Sequence, residues 1–393
     1  MDLKEDAALD ALRGRVRALV EREGPRLAGR HAGVRAPEPT EIPALRAWTA
    51  RLYEEQLVGV DWPVEYGGIA DANPLHESIV GEELVRAGAP GPLGSGQLAA
   101  AALIESGTQA QRDFFLPRIR RGQDIWCQLF SEPDAGSDLA GLRTRARADG
   151  DTFVIDGQKV WTTIGQHADW GYLLARTDPD AAKHAGITAF ALDMASPGIT
   201  VRPLREITGT SDFNEVFLDG VRVPADRVIG TINGGWRVAT SSLAKERSGA
   251  GAGVTLLGAL DGLLNLACEL SVDGVPAIQR HDVRQAIGAL VADVQVNGLV
   301  SAFVQSNQLH GSGDMGDAAI SKIMFSEVNL ALHEYGMSLQ GHDGVRIEHD
   351  GKAMDDGWWQ DAFLYARAFT IAGGSNEVLR NVIAERALGL PKG

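Results

Sequence analysis

The chain has 393 residues, 44% of them apolar, which is enough for two or three packed units with sizeable cores. Its formal net charge of −15 argues against a nucleic-acid polyanion or an anionic membrane surface as partner. It leaves a phosphorylated small molecule open, because one local arginine can hold that. Two cysteines, Cys127 and Cys268, allow at most one disulfide and no metal cluster, so no metal site and a reducing cytoplasmic setting are expected.

The first stretch, MDLKEDAALDALRGRVRALVERE, is charged throughout and predicts an amphipathic helix. It lacks the apolar core of a signal peptide, and no later run is expected to span a bilayer. Up to about Gly122 the pattern stays helical, with PLHESIVGEELVRAG and QLAAAALIESG carrying apolar positions at three-to-four spacing between Gly and Pro clusters. From about Trp126 to Gly230 the runs become short and strand-like: DTFVIDGQKVWTT, YLLART, ITAFALDM, ITVRPL and EVFLDGVRVP, punctuated by Asp-Gly and Pro-Gly turn signals. From Trp236 onward long helical patterns return, as in WRVATSSLAKERSGAGAGVTLLGALDGLLNLACEL, and GHDGVRIEHDGKAMDDG is the one long polar interruption, expected as an exposed loop. The expected organisation is α+β in three units: helical 1–122, a compact β unit 123–232 and a helical bundle 233–393.

The segment WCQLFSEPDAGSD at 126–138 sets two acids, a proline, a glycine and a serine directly after an apolar run. Such a strand end running into a tight loop turns N–H groups and hydroxyls outward, which suits a polar, electron-rich ligand. Read alone, it is equally what an ordinary solvated turn looks like.

Five segments in register resemble the acyl-CoA dehydrogenase family from end to end: WPVEYGG at 62–68, EELVRAGAP at 82–90, SEPDAGSDLAGLRTRA at 131–146, GQKVWTT at 157–163 and NEVLRNVIAERALGLP at 376–391. The resemblance implies an N-terminal helical domain, a central β-barrel and a C-terminal four-helix bundle, with bound FAD and oxidation of a CoA thioester to its α,β-enoyl form. That reaction needs a base for the α-proton, polarisation of the thioester oxygen and a hydride acceptor, and no side chain accepts hydride. By resemblance, Phe130 and Ser131 meet the pyrimidine edge of the isoalloxazine, and Ser137 lies near both cofactor and CoA. Trp161 and Thr163, two apart on one strand, point the same way, the indole over the ring and the hydroxyl toward N5. Gln128, Gly136 and Thr162 complete this cofactor set. Taken singly, Trp161 is also what a barrel-core aromatic looks like.

Many relatives carry the base as the Glu of a Tyr-Glu-Gly-Thr motif, where this chain reads TIAGGSNEV and places Gly373. Isovaleryl- and long-chain-type relatives carry it on the first long helix of the C-terminal domain, where this chain has Glu246 in SLAKERSG. Ala239, Leu243, Glu246 and Ala250 share one helical stripe, and a carboxylate facing the interior has its pKa raised unless paired, as a general base requires. The alternative is a surface Glu paired with a neighbouring Lys or Arg. Arg247 corresponds to an arginine that helps hold the acyl-CoA, or else makes a solvent ion pair. Ser375-Asn376 predicts a helix start, and free N–H groups at Gly373 and Gly374 would polarise the thioester oxygen beside a ribityl hydroxyl. Ser375 and Glu377 match positions near the cofactor, and are otherwise a cap and a first-turn acid.

Two family elements depart. CELSVDGVPAIQRHD replaces the Arg-containing element that reaches a neighbour's FAD pyrophosphate, and SLQGHDG at 338–344 replaces a Gln-x-x-Gly-Gly element serving the adenosine end. TIAGG resembles actinobacterial members acting on steroid side chains, which assemble from two unlike subunits. The implied partners are an acyl-CoA substrate, an electron-transfer flavoprotein as acceptor, and a homo-tetramer or a hetero-tetramer with a related subunit. Two alternatives stay open: a half-site subunit completing a partner, and a flavin oxidase or monooxygenase on the same scaffold.

Overall fold

A computed structural model describes residues 7–25, 36–246, 252–272, 274–309, 315–347 and 349–392. The first helix, α1 (Ala7–Glu23), buries Leu9, Leu12, Val16 and Leu19, the single stripe that its spacing dictates. It is followed by α2 (Ile42–Glu54), α3 (His76–Arg86), α4 (Gly96–Ser106) and α5 (Gln109–Arg120), the last opened by a capping box between Thr108 and Gln111. Glu83 on α3 is buried and accepts from Arg13 and Arg17 of α1 at 2.8 and 2.6 Å, which fixes the two helices together. The WPVEYGG turn closes over Arg120, whose guanidinium lies 5.1 Å from the Tyr53 ring and 5.7 Å from the Trp62 ring. Gly67 sits at φ +88° against that guanidinium, so a side chain there meets both a steric and a backbone objection.

Eight strands follow in one sheet: β1 (Trp126–Leu129), β2 (Arg145–Asp149), β3 (Thr152–Thr163), β4 (Trp170–Arg176), β5 (Ile187–Asp193), β6 (Ile199–Leu204), β7 (Phe213–Pro224) and β8 (Val228–Ile229). The order is β6-β7-β3-β2-β4-β5-β8, with β1 added in parallel alongside β4. Residues from both ends of this path, among them Phe153, Phe190, Val216, Val221 and Val228, share one apolar cluster, so the sheet curls around a core of its own. Its other face packs on the helices: Trp126, Phe130, Tyr172, Leu174, Ala189 and Ala191 join the cluster built on α1 to α5. Both faces are therefore buried, which is why YLLA and ITAFAL read as continuous apolar runs without polar alternation.

The chain then forms α6 (Gly235–Glu246), α7 (Ala252–Glu269), a two-strand hairpin of β9 (Ser271–Val272) and β10 (Val275–Pro276), α8 (His281–Leu309), α9 (Met315–Leu339), α10 (Trp358–Ile371) and α11 (Asn376–Val382). Leu256, Leu263, Val283, Ile287, Leu332 and Trp359 fill the core between α7, α8, α9 and α10. The hairpin occupies the CELSVDGVPAIQRHD departure, and the 341–357 interruption is a mostly exposed stretch of short turns, as expected. Cys127 is buried and Cys268 exposed, and both are free thiols.

One expectation is corrected. His281–Asn307, within α8, is by length and composition long and apolar enough to cross a membrane. Here its Val283, Ile287, Leu290 and Val294 pack into the bundle, while Val296, Leu299 and Phe303 lie exposed.

Two glycines in neighbouring helices should answer substitution with opposite signs. A Cβ at Gly336 would enter the buried Trp359 indole, whereas one at Gly298 meets nothing within 4 Å. Gly336→Ala is expected to lose about 1–3 kcal/mol through overpacking, and Gly298→Ala to gain up to about 1 kcal/mol through helix propensity. Calorimetric melting of the two variants checks both signs.

Candidate functional site

The site grows from β1 and the loop that leaves it. Gln128 is half-buried in β1, opposite Tyr172 of β4. Phe130 is buried, with its ring edge-on to Tyr172 at 4.8 Å, and the Tyr172 hydroxyl lies 3.3 Å from Ser242 Oγ on α6. Burial pushes the Tyr172 phenol above its ordinary value, so it stays neutral and serves as a hydrogen-bonding spacer. This line of contacts joins the loop to the helix whose last residue is Glu246.

The loop itself is tied down from below. Ser131 O accepts from Val160 N of β3 at 2.9 Å, and Glu132 and Ala135 exchange backbone hydrogen bonds at 3.1 and 3.0 Å. Glu132 is buried and accepts from Arg143 N at 2.6 Å, Thr144 N at 2.9 Å and Lys159 Nζ at 2.8 Å. Lys159, wholly buried on β3, gives a second hydrogen bond to Phe130 O at 3.0 Å. Burial alone would raise the Glu132 pKa, but the Lys159 charge and the hydrogen bonds from Lys159, Thr144 and Arg143 outweigh it and hold the carboxyl below its ordinary value. Burial pushes Lys159 down to about 8, with Glu132 opposing, so at neutral pH the pair is charged. Of the loop's other acids, Asp134 and Asp138 are exposed and pair with Arg143 and Lys183. Gly136 and Ser137 are exposed between them. The Glu132–Lys159 pair was missed in the sequence, although both residues sit in quoted motifs.

On β3 the register slips between Lys159 and Thr162, two β3 residues facing one of β7. Trp161 occupies this bulge at φ +60° and is 60% exposed, with its indole edge-on to Phe213 at 5.9 Å. The bulge replaces strict alternation, so the inference that Trp161 and Thr163 point alike because they are two apart does not hold as argued. Both nevertheless stay out of the core, Thr163 half-buried and Trp161 open, which removes the core-aromatic reading of Trp161. Thr162 is buried, and its hydroxyl has no partner among the described residues. A bulky residue held in the left-handed region with its ring exposed is strained by about 1–3 kcal/mol without visible packing in return. The Ser131 N–H also makes no hydrogen bond among the described residues. An open indole and a free N–H suit a flat aromatic ligand with a polar edge, whereas the Thr162 side chain is wholly buried and does not line that surface, against the expectation for it.

The last part is the corner before α11. Gly373 and Gly374 have φ +68° and +99°, and their N–H groups are unpaired among the described residues. Ser375 caps α11 by accepting from Val378 N at 3.4 Å, as expected, and Glu377 is exposed in its first turn. Lys322 of α9, missed in the sequence, donates to Gly374 O at 2.8 Å and Asn376 Oδ1 at 2.9 Å. Among the described residues no hydrogen bond or ion pair joins this corner to the 130–137 loop. The expected stripe is seen at Ala239, buried, and Leu243, packed on the same cluster. The Glu246 side chain, Arg247 and Ala250 lie outside the described residues.

Three family models cover the chain: the N-terminal domain of acyl-CoA dehydrogenase at 6–123, the middle domain at 127–221 and the C-terminal domain at 233–388. The chain belongs to the acyl-CoA dehydrogenase family. It is therefore an oxidoreductase acting on acyl-CoA. Among similar acyl-CoA dehydrogenases, FadE34 of Mycobacterium tuberculosis is 41% identical over 363 residues, 90% of this chain and 48% of the relative. The chain thus spans about half of FadE34. IpdE1 of the same organism is 38% identical over 351 residues, 88% of each chain. Among solved structures, one titled Tcur3481-Tcur3483 steroid ACAD has a TM-score of 0.87 at 29% identity over all of both chains. The ChsE4-ChsE5 complex from M. tuberculosis has a TM-score of 0.86 at 28% identity, again over all of both.

The lowered Glu132 pKa gives a signed pH dependence to this acyl-CoA dehydrogenase. A carboxyl held below its unfolded value of about 4.5 contributes fully above that pH and loses its contribution as pH falls through the lowered value. Glu132→Gln should cost about 3–5 kcal/mol at neutral pH, because Lys159 is left buried without a counter-charge. Melting curves against pH should show the gap between wild type and variant narrowing in acid; a gap unchanged down to about pH 3 refutes the account.

Proposed function

We propose that the chain catalyses FAD-dependent α,β-dehydrogenation of an acyl-CoA thioester, with Glu246 as the base. The observation carrying this reading is that the cradle of Ser131 and Trp161 connects through Phe130, Tyr172 and Ser242 to the helix ending at Glu246. FAD, when bound, would supply the hydride acceptor at its N5. Ser131 would hold the pyrimidine edge by N–H and hydroxyl, and Trp161 would cover the ring and exclude water. Gln128, Gly136 and Thr163 would line the ring, with Ser375 and Glu377 nearby. Glu246 takes the α-proton while the Gly373 N–H polarises the thioester oxygen; Ser137 and Arg247 hold the CoA portion. The chain works in the cytoplasm and passes its electrons to an electron-transfer flavoprotein. The full-length likeness to a protein titled steroid ACAD favours an acyl-CoA bearing a steroid ring system as substrate.

A paired assembly belongs to the same reading. The two family elements that serve a neighbour's cofactor are replaced here, and Ile371, Leu388 and Leu390 are left exposed along the C-terminal segment. We infer that a related, unlike subunit covers this surface and completes the nucleotide half of the cofactor site. Co-expression with such a subunit should raise FAD content from sub-stoichiometric to one per site, measured by flavin absorbance after gel filtration. Full FAD retention by the dilute chain alone would reject it.

The base is tested by Glu246→Gln, which keeps side-chain volume. Anaerobic bleaching of bound flavin by acyl-CoA should slow by at least about 100-fold at matched flavin content, the usual contribution of a positioned base. Bleaching within a few-fold of wild type would remove Glu246 from that role.

A further inference from the structure

The interior of the site loop holds a charge that the proposed chemistry does not use. Lys159 Nζ donates to Phe130 O at 3.0 Å, and the peptide it caps is the one whose N–H belongs to Ser131. That peptide is trans, so its N–H points opposite to its C=O, away from the buried ammonium. The Ser131 N–H is unpaired among the described residues, and the next carbonyl, Ser131 O, is pinned by Val160 N at 2.9 Å. The peptide plane therefore cannot swing without breaking the Lys159 hydrogen bond, and the peptide that follows is held by Val160. An ammonium on the carbonyl of a peptide withdraws electron density along it and strengthens the N–H as a donor. Glu132, at 2.8 Å on the other side of Nζ, keeps the lysine in place.

We propose that Lys159 is a positioning residue that raises the reduction potential of the flavin, acting through the Phe130–Ser131 peptide on the pyrimidine edge of the ring. This rests on the flavin reading given under Proposed function. Reduction places negative charge on that edge of the ring, so a stronger donor and a fixed positive charge behind it favour reduced over oxidised FAD. Glu132 has the opposite electrostatic sign but a mechanical duty: it orients the ammonium and holds the backbone at 143–144.

The test compares the wild-type holoenzyme, co-expressed with its related subunit if that is needed for loading, with Lys159→Met, Glu132→Gln and the Lys159→Met/Glu132→Gln double variant. The double variant leaves no unpaired buried charge, so it should fold where Lys159→Met alone does not. Spectroelectrochemical titration gives the potential, and titration of the apoprotein gives the affinity for oxidised FAD. The double variant should bind oxidised FAD within a few-fold of wild type and reduced FAD at least tenfold more weakly, a potential lower by about 30 mV for a two-electron couple. Glu132→Gln removes the carboxylate that opposes the desolvation of Lys159, so the ammonium is lost more readily and the potential should fall below wild type. A purely structural role would weaken oxidised and reduced FAD together and leave the potential where it was, which overturns the proposal. A wild-type protein that takes up no flavin under any condition overturns the flavin reading itself, a result distinguishable from an unchanged potential.

Discussion

The buried pair of Lys159 and Glu132 is the contact on which the geometry of the site depends. A lone ion in a protein interior costs several kcal/mol, so two residues on different segments are compelled to meet. Meeting fixes three pieces of backbone at once: β3 through Lys159, the site loop through Phe130 O and Glu132, and the 143–144 segment through its two N–H groups. A pair of apolar residues of similar volume could stabilise the fold equally well. It could not specify which carbonyl faces inward, and so could not specify which N–H faces out.

From that anchor the arrangement passes outward through contacts with little slack. Phe130 is edge-on to Tyr172, and Tyr172 reaches Ser242, one helical turn before Glu246. The loop below and the helix above are thereby referred to one buried ring. Above the pair, β3 departs from regular pairing at the bulge, and Trp161 leaves the core at a left-handed φ. Rigid support beneath and local strain at the surface are two halves of one device: the bulge turns the indole outward, and the ion pair keeps the strand from relaxing back into alternation.

Much of the scaffold was legible because it is local. The stripe of Leu9, Leu12, Val16 and Leu19 needs only the helical period, and Ser375 declares itself as a cap by its place before Asn376 and the run after it. Strand runs such as ITAFAL announce burial on both faces, though not which two layers bury them. What stayed hidden depends on partners distant in sequence. The slip at Trp161 exists only relative to β7, so no reading of β3 alone could locate it. Lysine is ordinarily a surface residue, so nothing local marked Lys159 as buried until Glu132, 27 residues earlier, was found beside it. The apolar length of α8 was passed over for a related reason: within a bundle its composition reads as core, and by itself it meets the length and hydropathy of a span.

The corner at Gly373 and Gly374 shows how a missing side chain can carry information. Space alone does not exclude an acid at Gly373, since a Cβ there meets nothing within 4 Å and the φ of +68° would cost a non-glycine residue about 1–3 kcal/mol. The corner is instead organised around a cation. The Lys322 ammonium takes Gly374 O and Asn376 Oδ1, and Asn376 is buried beside Ser326, so the turn is held by its carbonyls and leaves its N–H groups free. A corner built this way offers donors beside a cation, the requirements of an oxygen that gains negative charge. On the proposed reading the corner would stabilise the developing enolate oxygen, and the proton would leave toward the carboxylate of Glu246. The helix that ends at Glu246 is tied through Ser242 and Tyr172 to Phe130 of the site loop, which is the contact that favours it as the source of that carboxylate.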